Sequence, residues 1–371
     1  MKRYAAFDPP EYREWSADPE LVSAYRDTLE SNPERAERVS QLTTEDLLSI
    51  YRDLLLTRLQ DIGLKRWVKQ GVISKAWLGV GEEAVTVGCV TALDRDADVV
   101  SPMIRNAGAC HMMGMPLDDT FMGYLATSKG PNGGRDLHVG APDKGVIQPI
   151  SHMGTSVTVV AGAALAFKIR GEQRVALTWV GDGATRTAAC HEGFVFAARS
   201  SVPAIFVIQN NQVALGTRLH QHGGGRVDQL PAAYGIPSLR CDGNNVLDVF
   251  AAAAEARERC IAGEGPVALV AETFRMGGHA THDEREAREA FPDHLFKSWG
   301  QRDPIGLYEA YLDTQGVASD DLARVEAEAT EAVEAAADRA RASNLEPESE
   351  YALYEGFSEG GVLHGLRGRL D

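Results

Sequence analysis

Two side chains able to share a cation lie at corresponding ends of two similar segments: Asp182, within Gly181-Asp182-Gly183, and Asn211, the second residue of Asn210-Asn211. Asp182 offers a hard anionic oxygen and Asn211 a neutral amide oxygen, and the irregular backbone after Asn211 can turn a carbonyl inward. Three oxygen donors that leave coordination positions open suit magnesium shared with a phosphate group. Gly181 and Gly183 permit close backbone approach to a ligand, and amides opening the following helix point at an anion. The natural occupant is a diphosphate held through a metal ion. His138 ends a glycine-rich loop that begins at Lys129, and His279 and His282 follow an apolar run near Arg275. The last two lack the nearby partners that a zinc site needs. Cys110-His111 is a poor nucleophile pair, because adjacent residues seldom face each other.

The elements that position these residues are readable from periodicity. Apolar runs before Gly181 and before Asn210 enclose a helix-length segment from about Arg186 to Ser200, the pattern of a strand-helix-strand unit. Its strands are expected to be parallel and buried on both faces. A right-handed crossover then sets both polar clusters at the carboxyl edge of the sheet, where open α/β sheets bind ligands. Thr44 to Gln70 shows helical spacing of apolar residues and predicts an amphipathic helix. Gly79 to Ala84 opens another, with Glu83 in a first turn where acids are favoured. Asp98 to Gly108 reads as a strand running into a turn, and helices are expected from about Thr155 to Ile169 and from Val246 to Ala262. Strands are expected within 235–243 and 266–275, and a long surface helix from Ser319 to Ser343.

The 371 residues carry a formal net charge of -16, which disfavours nucleic acid and anionic membrane as partners. The amino terminus lacks the apolar core of a signal peptide and no run reaches membrane-spanning length, so a cytoplasmic location is expected. The five cysteines are odd in number and scattered, and are expected to be reduced and structural.

Gly-Asp-Gly, then 26 residues, then Asn-Asn resembles the thiamine diphosphate motif of thiamine-dependent enzymes. Gly181-Asp-Gly-Ala-Thr, His191-Glu-Gly-Phe and Gln209-Asn-Asn narrow the resemblance to the alpha subunit of two-component 2-oxo acid dehydrogenases, and it runs from roughly Thr44 to Gly316. It implies an α/β, thiamin diphosphate-binding fold: a mostly parallel sheet flanked by helices, with helical N- and C-terminal extensions. The corresponding division is an extension over 1–43, a cofactor-binding body over 44–316, and a carboxyl-terminal helix and tail over 317–371. The cofactors implied are thiamine diphosphate and Mg2+, the metal being held by Asp182, Asn211 and the Val213 carbonyl, whose side chain is then free to vary. Arg105 and Ser151 are the implied diphosphate contacts, and Gly181, Gly183 and His279 are further implied cofactor-binding residues. Met153 aligns with an apolar support for the thiamine rings, ordinary core being its other reading. His138 and His279 are the implied catalytic residues, His279 aligning with the histidine that assists acyl transfer to lipoamide.

The glutamate that activates the cofactor lies in the beta subunit of such relatives. This implies half an active site, completed in a heterotetramer of two alpha and two beta chains that serves a lipoyl acyltransferase component. The implied reaction is oxidative decarboxylation of a 2-oxo acid, pyruvate or branched-chain. Acetoin dehydrogenase and a catalytically degenerate assembly subunit are the alternatives. The latter is motivated by departures from the family's pattern: Ile104 stands for tyrosine, Pro292 for arginine, and Arg186-Thr-Ala-Ala for a polar run with glycine. Glu82 likewise replaces a usual glutamine, with Glu83 as the aligned carboxylate.

Overall fold

The computed structural model describes residues 1–223 and 226–343. Among them the strands are β1 (Val99–Ser101), β2 (Ala176–Gly181), β3 (Ala204–Asn210), β4 (Val213–Ala214), β5 (Thr217–Arg218), β6 (Ser238–Asp242) and β7 (Val267–Glu272). Five form one sheet in the order β1-β2-β3-β7-β6, every pair parallel, while β4 and β5 make a short antiparallel hairpin. The central strands are apolar on both faces because both are covered. Ala204, Phe206 and Ile208 of β3 pack with the helices Thr155–Arg170 and Ala188–Ser200, whereas Ile205 and Val207 belong to the core on the opposite face, with the helix Val246–Ile261. This is the two-residue alternation of a pleated strand. The expected α/β architecture with a mostly parallel sheet is the one observed.

The expected helix from Arg186 begins at Ala188 instead. Thr187 caps it by accepting the Cys190 amide at 3.3 Å, and Ala184–Arg186 form a separate one-turn helix. Thr44–Lys69 is also less amphipathic than its spacing suggests, since Asp53, Thr57, Arg58, Gln60 and Asp61 are buried with the apolar residues. The reason is that more than one layer covers it. The helix Ser319–Ser343 lays Leu322, Val325, Ala329 and Val333 inward and crosses near Gly63, where an added Cβ would lie 3.0 Å from Phe121. From another side the amino-terminal segment docks: the Met1 amine meets Glu309 at 2.6 Å, Arg3 pairs with Asp303, and Tyr12 stacks under the Arg58 guanidinium at 4.9 Å. Residues 344–371 of the expected tail lie outside the described residues. All five cysteines are free and buried. No described helix is long and apolar enough to cross a membrane.

Candidate active site

The register of the central strands decides what meets at their carboxyl ends. Gly181 lies opposite Gln209, so Asp182 and the Asn210-Asn211 pair leave the ends of neighbouring strands. Asp182 is 1% exposed, and its Oδ2 sits 3.2 Å from His222 Nε2. Burial pushes its carboxyl above the usual range, with His222 pulling the other way. Asn211 donates its Nδ2 to Glu82 Oε1 at 2.8 Å, and its Oδ1 accepts the Val213 amide at 3.3 Å. Glu82 thereby fixes which end of the Asn211 amide is oxygen. The same Oε1 takes Gln209 Nε2 at 2.6 Å, while Oε2 pairs with Arg105 Nη1 at 3.2 Å.

Gly181 has open space where a side chain would project, as an approaching ligand requires. Gly183 has another reason to be glycine, because its Cβ would lie 2.4 Å from that of Ala214 and push the β4–β5 hairpin away. Val213 is buried in the core, so its side chain is not free to vary, contrary to the sequence reading. Among the described residues no three His, Cys, Asp or Glu side chains gather as a metal cage. One buried carboxylate, one oriented amide oxygen and a main-chain carbonyl fit a hard cation that keeps its other positions for phosphate and water.

In front of this cluster a cavity of about 420 Å³ collects Arg105, His138, Ser151, Met153 and His279, with Ile104, Trp77 and Trp179 among its walls. Arg105 occupies the turn Ile104–Asn106, which Asn106 anchors by donating to Thr86 at 2.7 Å and Gln209 at 3.0 Å. Gly79 lets this turn approach, since its Cβ would meet the Arg105 carbonyl at 2.5 Å. His279 Nδ1 lies 3.1 Å from Arg105 Nη2. Burial, then Arg105 and Arg275, lowers its pKa to about 4, so the ring is neutral near pH 7. Its Nδ1 accepts from a guanidinium that can only donate, which leaves the proton on Nε2. The loop around it is held by Asp283, which accepts the amides of His279 at 3.2 Å and Ala280 at 2.7 Å. Arg275 ties the same loop to the hairpin by donating to the Gly277 and Leu215 carbonyls. Met153 is 51% exposed at the cavity, which excludes the ordinary-core reading of that residue.

With this geometry in place, comparison with known proteins places the chain. Residues 51–348 match the dehydrogenase E1 component family. The chain belongs to that family. It is 31% identical over 285 residues to the 2-oxoisovalerate dehydrogenase subunit alpha of Bacillus subtilis (strain 168), covering 76% of this chain and 86% of the relative. Against the pyruvate dehydrogenase E1 component subunit alpha of Bacillus cereus it is 31% identical over 310 residues, 81% and 80% of the two chains. The Staphylococcus aureus (strain Mu50 / ATCC 700699) protein described in the same words is 32% identical over 290 residues, 76% and 74%. The resemblance to 2-oxo acid dehydrogenase alpha subunits read from the motifs is thus borne out. Membership implies thiamine diphosphate and, for an alpha subunit, a beta partner.

Three residues of this E1 chain's site escaped the sequence reading. Of the adjacent pair Glu82-Glu83, the family pattern pointed to Glu83, but its carboxylate takes the Arg58 guanidinium and the Gly81 amide in the core. Glu82 is the one that serves the site. The departure from glutamine at that position was the available signal. Asp136, which holds His138 from two residues away in the same loop, stood within the glycine-rich segment and was passed over; His222, which meets Asp182 from a distant segment, gave no local signal.

Proposed function

We propose that this E1 alpha chain forms half of an enzyme that oxidatively decarboxylates a 2-oxo acid, pyruvate or branched-chain, and passes the acyl group to lipoamide. It works in a heterotetramer of two alpha and two beta chains beside a lipoyl acyltransferase component. The division into 1–43, 44–316 and 317–371 belongs to the same proposal. The observation that carries it is the convergence, at one sheet edge, of buried Asp182 and oriented Asn211 with a cavity bearing Arg105, His138, Ser151, Met153 and His279.

Asp182, Asn211 and the Val213 carbonyl hold Mg2+. Gly181 and Gly183 admit the diphosphate, which Arg105, Ser151 and His279 bind. Met153 supports the cofactor rings from the cavity wall. Bound thiamine diphosphate supplies the electron sink for decarboxylation, and the chain supplies position and charge. Arg105, drawn toward Glu82 and His279, presents a fork whose direction is fixed before an anion arrives. His138 and His279 move protons within reach of the reacting group. The complex assembled with its beta chain is expected to turn over pyruvate or a branched-chain 2-oxo acid. Asp182→Ala, which removes the one anionic metal ligand, is expected to abolish thiamine diphosphate binding in calorimetry with Mg2+. Undiminished affinity in that variant overturns the metal assignment, and a wild-type complex inert to all these acids overturns the activity.

A further inference from the structure

Asp136 has no part in the function described so far, yet it grips the ring of His138. Its Oδ1 accepts the His138 backbone amide at 3.2 Å and faces the ring Nδ1 at 2.8 Å, while Oδ2 accepts Gln148 Nε2 at 3.3 Å. Burial works against ionisation, but the hydrogen bonds from His138 outweigh it and hold the Asp136 carboxyl below its usual range. An ionised carboxylate only accepts, so the ring nitrogen facing it carries the hydrogen. The neutral ring then has a bare Nε2, which lies 3.2 Å from Ser151 Oγ. Across the same cavity the opposite arrangement holds. Arg105, which only donates, faces Nδ1 of His279 and leaves the hydrogen on Nε2.

We propose that Asp136 is a positioning residue that fixes His138 as the Nδ1–H tautomer, so that one cavity holds a proton acceptor at His138 Nε2 and a hydrogen-bond donor at His279 Nε2. Two groups of one kind are thereby given opposite tasks by their neighbours, the logic by which paired catalytic groups divide acid and base work. Besides Asp136, the titratable or charged groups bordering this cavity are Arg105, His152 and His279. None of them supplies a second carboxylate to do Asp136's work.

The tautomer is legible without turnover, so its test stands apart from the activity on which the kinetic arm rests. In the alpha–beta complex with ring-[15N]histidine, the His138 signal is assigned by difference against His138→Asn. Solid-state nitrogen spectra are expected to show protonated Nδ1 and bare Nε2 in the wild type, and a shift toward Nε2–H in Asp136→Ala. A wild-type Nε2–H form, or a spectrum unchanged by Asp136→Ala, overturns the proposal. In the kinetic arm, Asp136→Asn lowers kcat by roughly tenfold or more. Thiamine diphosphate affinity, read from the fluorescence of Trp77 and Trp179 in the cavity wall, changes little, and Asp136→Glu recovers part of the rate. Asp136→Asn combined with His138→Asn runs no slower than His138→Asn alone, because the part Asp136 plays in the rate passes through that ring. Additive losses, or a fall in cofactor affinity that matches the fall in rate, overturn it.

Discussion

Glu82 shows how much one side chain decides in this site. Its carboxylate receives Gln209, Asn211 and Arg105, so the proposed diphosphate ligand, the proposed metal ligand and a strand end are oriented by one buried residue. Glu82→Leu strands three buried donors, each of which costs about 1–3 kcal/mol when left unpaired. That variant is expected to lose several kcal/mol in denaturant unfolding and to need far more Mg2+ for cofactor binding. Glu82→Gln keeps an acceptor for the two amides and is expected to be much milder, and equal effects of the two changes would refute the orienting role. His111 gives a prediction of another kind. Both its ring nitrogens are buried without hydrogen-bond partners, and burial, then Arg52 and Arg95, lowers its pKa to about 3. The unfolded chain titrates near 6.5, so between about pH 6.5 and 3 the unfolded state binds the extra proton. Stability is therefore complete above 6.5 and falls as pH drops, by about 1.4 kcal/mol per pH unit for this group. His111→Leu is expected to flatten that acid limb in pH-dependent unfolding while leaving stability at pH 7 equal or higher.

At the scale of elements, Arg58 is the joint between parts that are distant in sequence. Fully buried in Thr44–Lys69, it pairs with Glu83 at the start of one helix and with Asp303, 2.9 Å away, at the cap of another, under Tyr12 of the amino-terminal segment. Arg58→Met leaves Glu83 and Asp303 buried with too little countercharge, which costs about 3–5 kcal/mol and is measurable by thermal or denaturant unfolding. A loss below about 1 kcal/mol would mean that Arg3, which also reaches Asp303, suffices. No local pattern announces this joint, because its partners are separated by whole elements. The strands and helices around the site were legible for the opposite reason: buried runs and helical spacing are local, and the 26-residue interval between Gly183 and Asn210 holds the helix and second strand of one strand-helix-strand unit. Asp182 and Asn211 could thus be paired from sequence. The burial of Thr44–Lys69 could not, since it depends on two coverings supplied by opposite ends of the chain.

For the whole molecule, charge and placement point in one direction. A chain of net charge -16 sets Arg105 beside the cavity and buries Arg275 at the loop that carries His279, so two cationic side chains stand close to where the proposed 2-oxo acid anion arrives. Burial, then Arg105, holds the pKa of Arg275 at about 10, which still leaves it charged at neutral pH. His279 is neutral under the same conditions, its Nε2–H available to a partner that enters from outside the chain. The lipoyl group of the proposed reaction is such a partner, and in that reaction decarboxylation precedes its arrival. His279→Ala is therefore expected to leave the artificial-acceptor reaction within a few-fold of wild type. Transfer to lipoamide falls by about 10²-fold or more, the scale of losing one proton-transfer group. Thiamine diphosphate affinity drops less than tenfold by about 1 kcal/mol, because Arg105 keeps Glu82 as its second anchor. Assaying both reactions on one preparation of the complex separates the steps, and equal loss in both, or loss in neither, removes His279 from the transfer step.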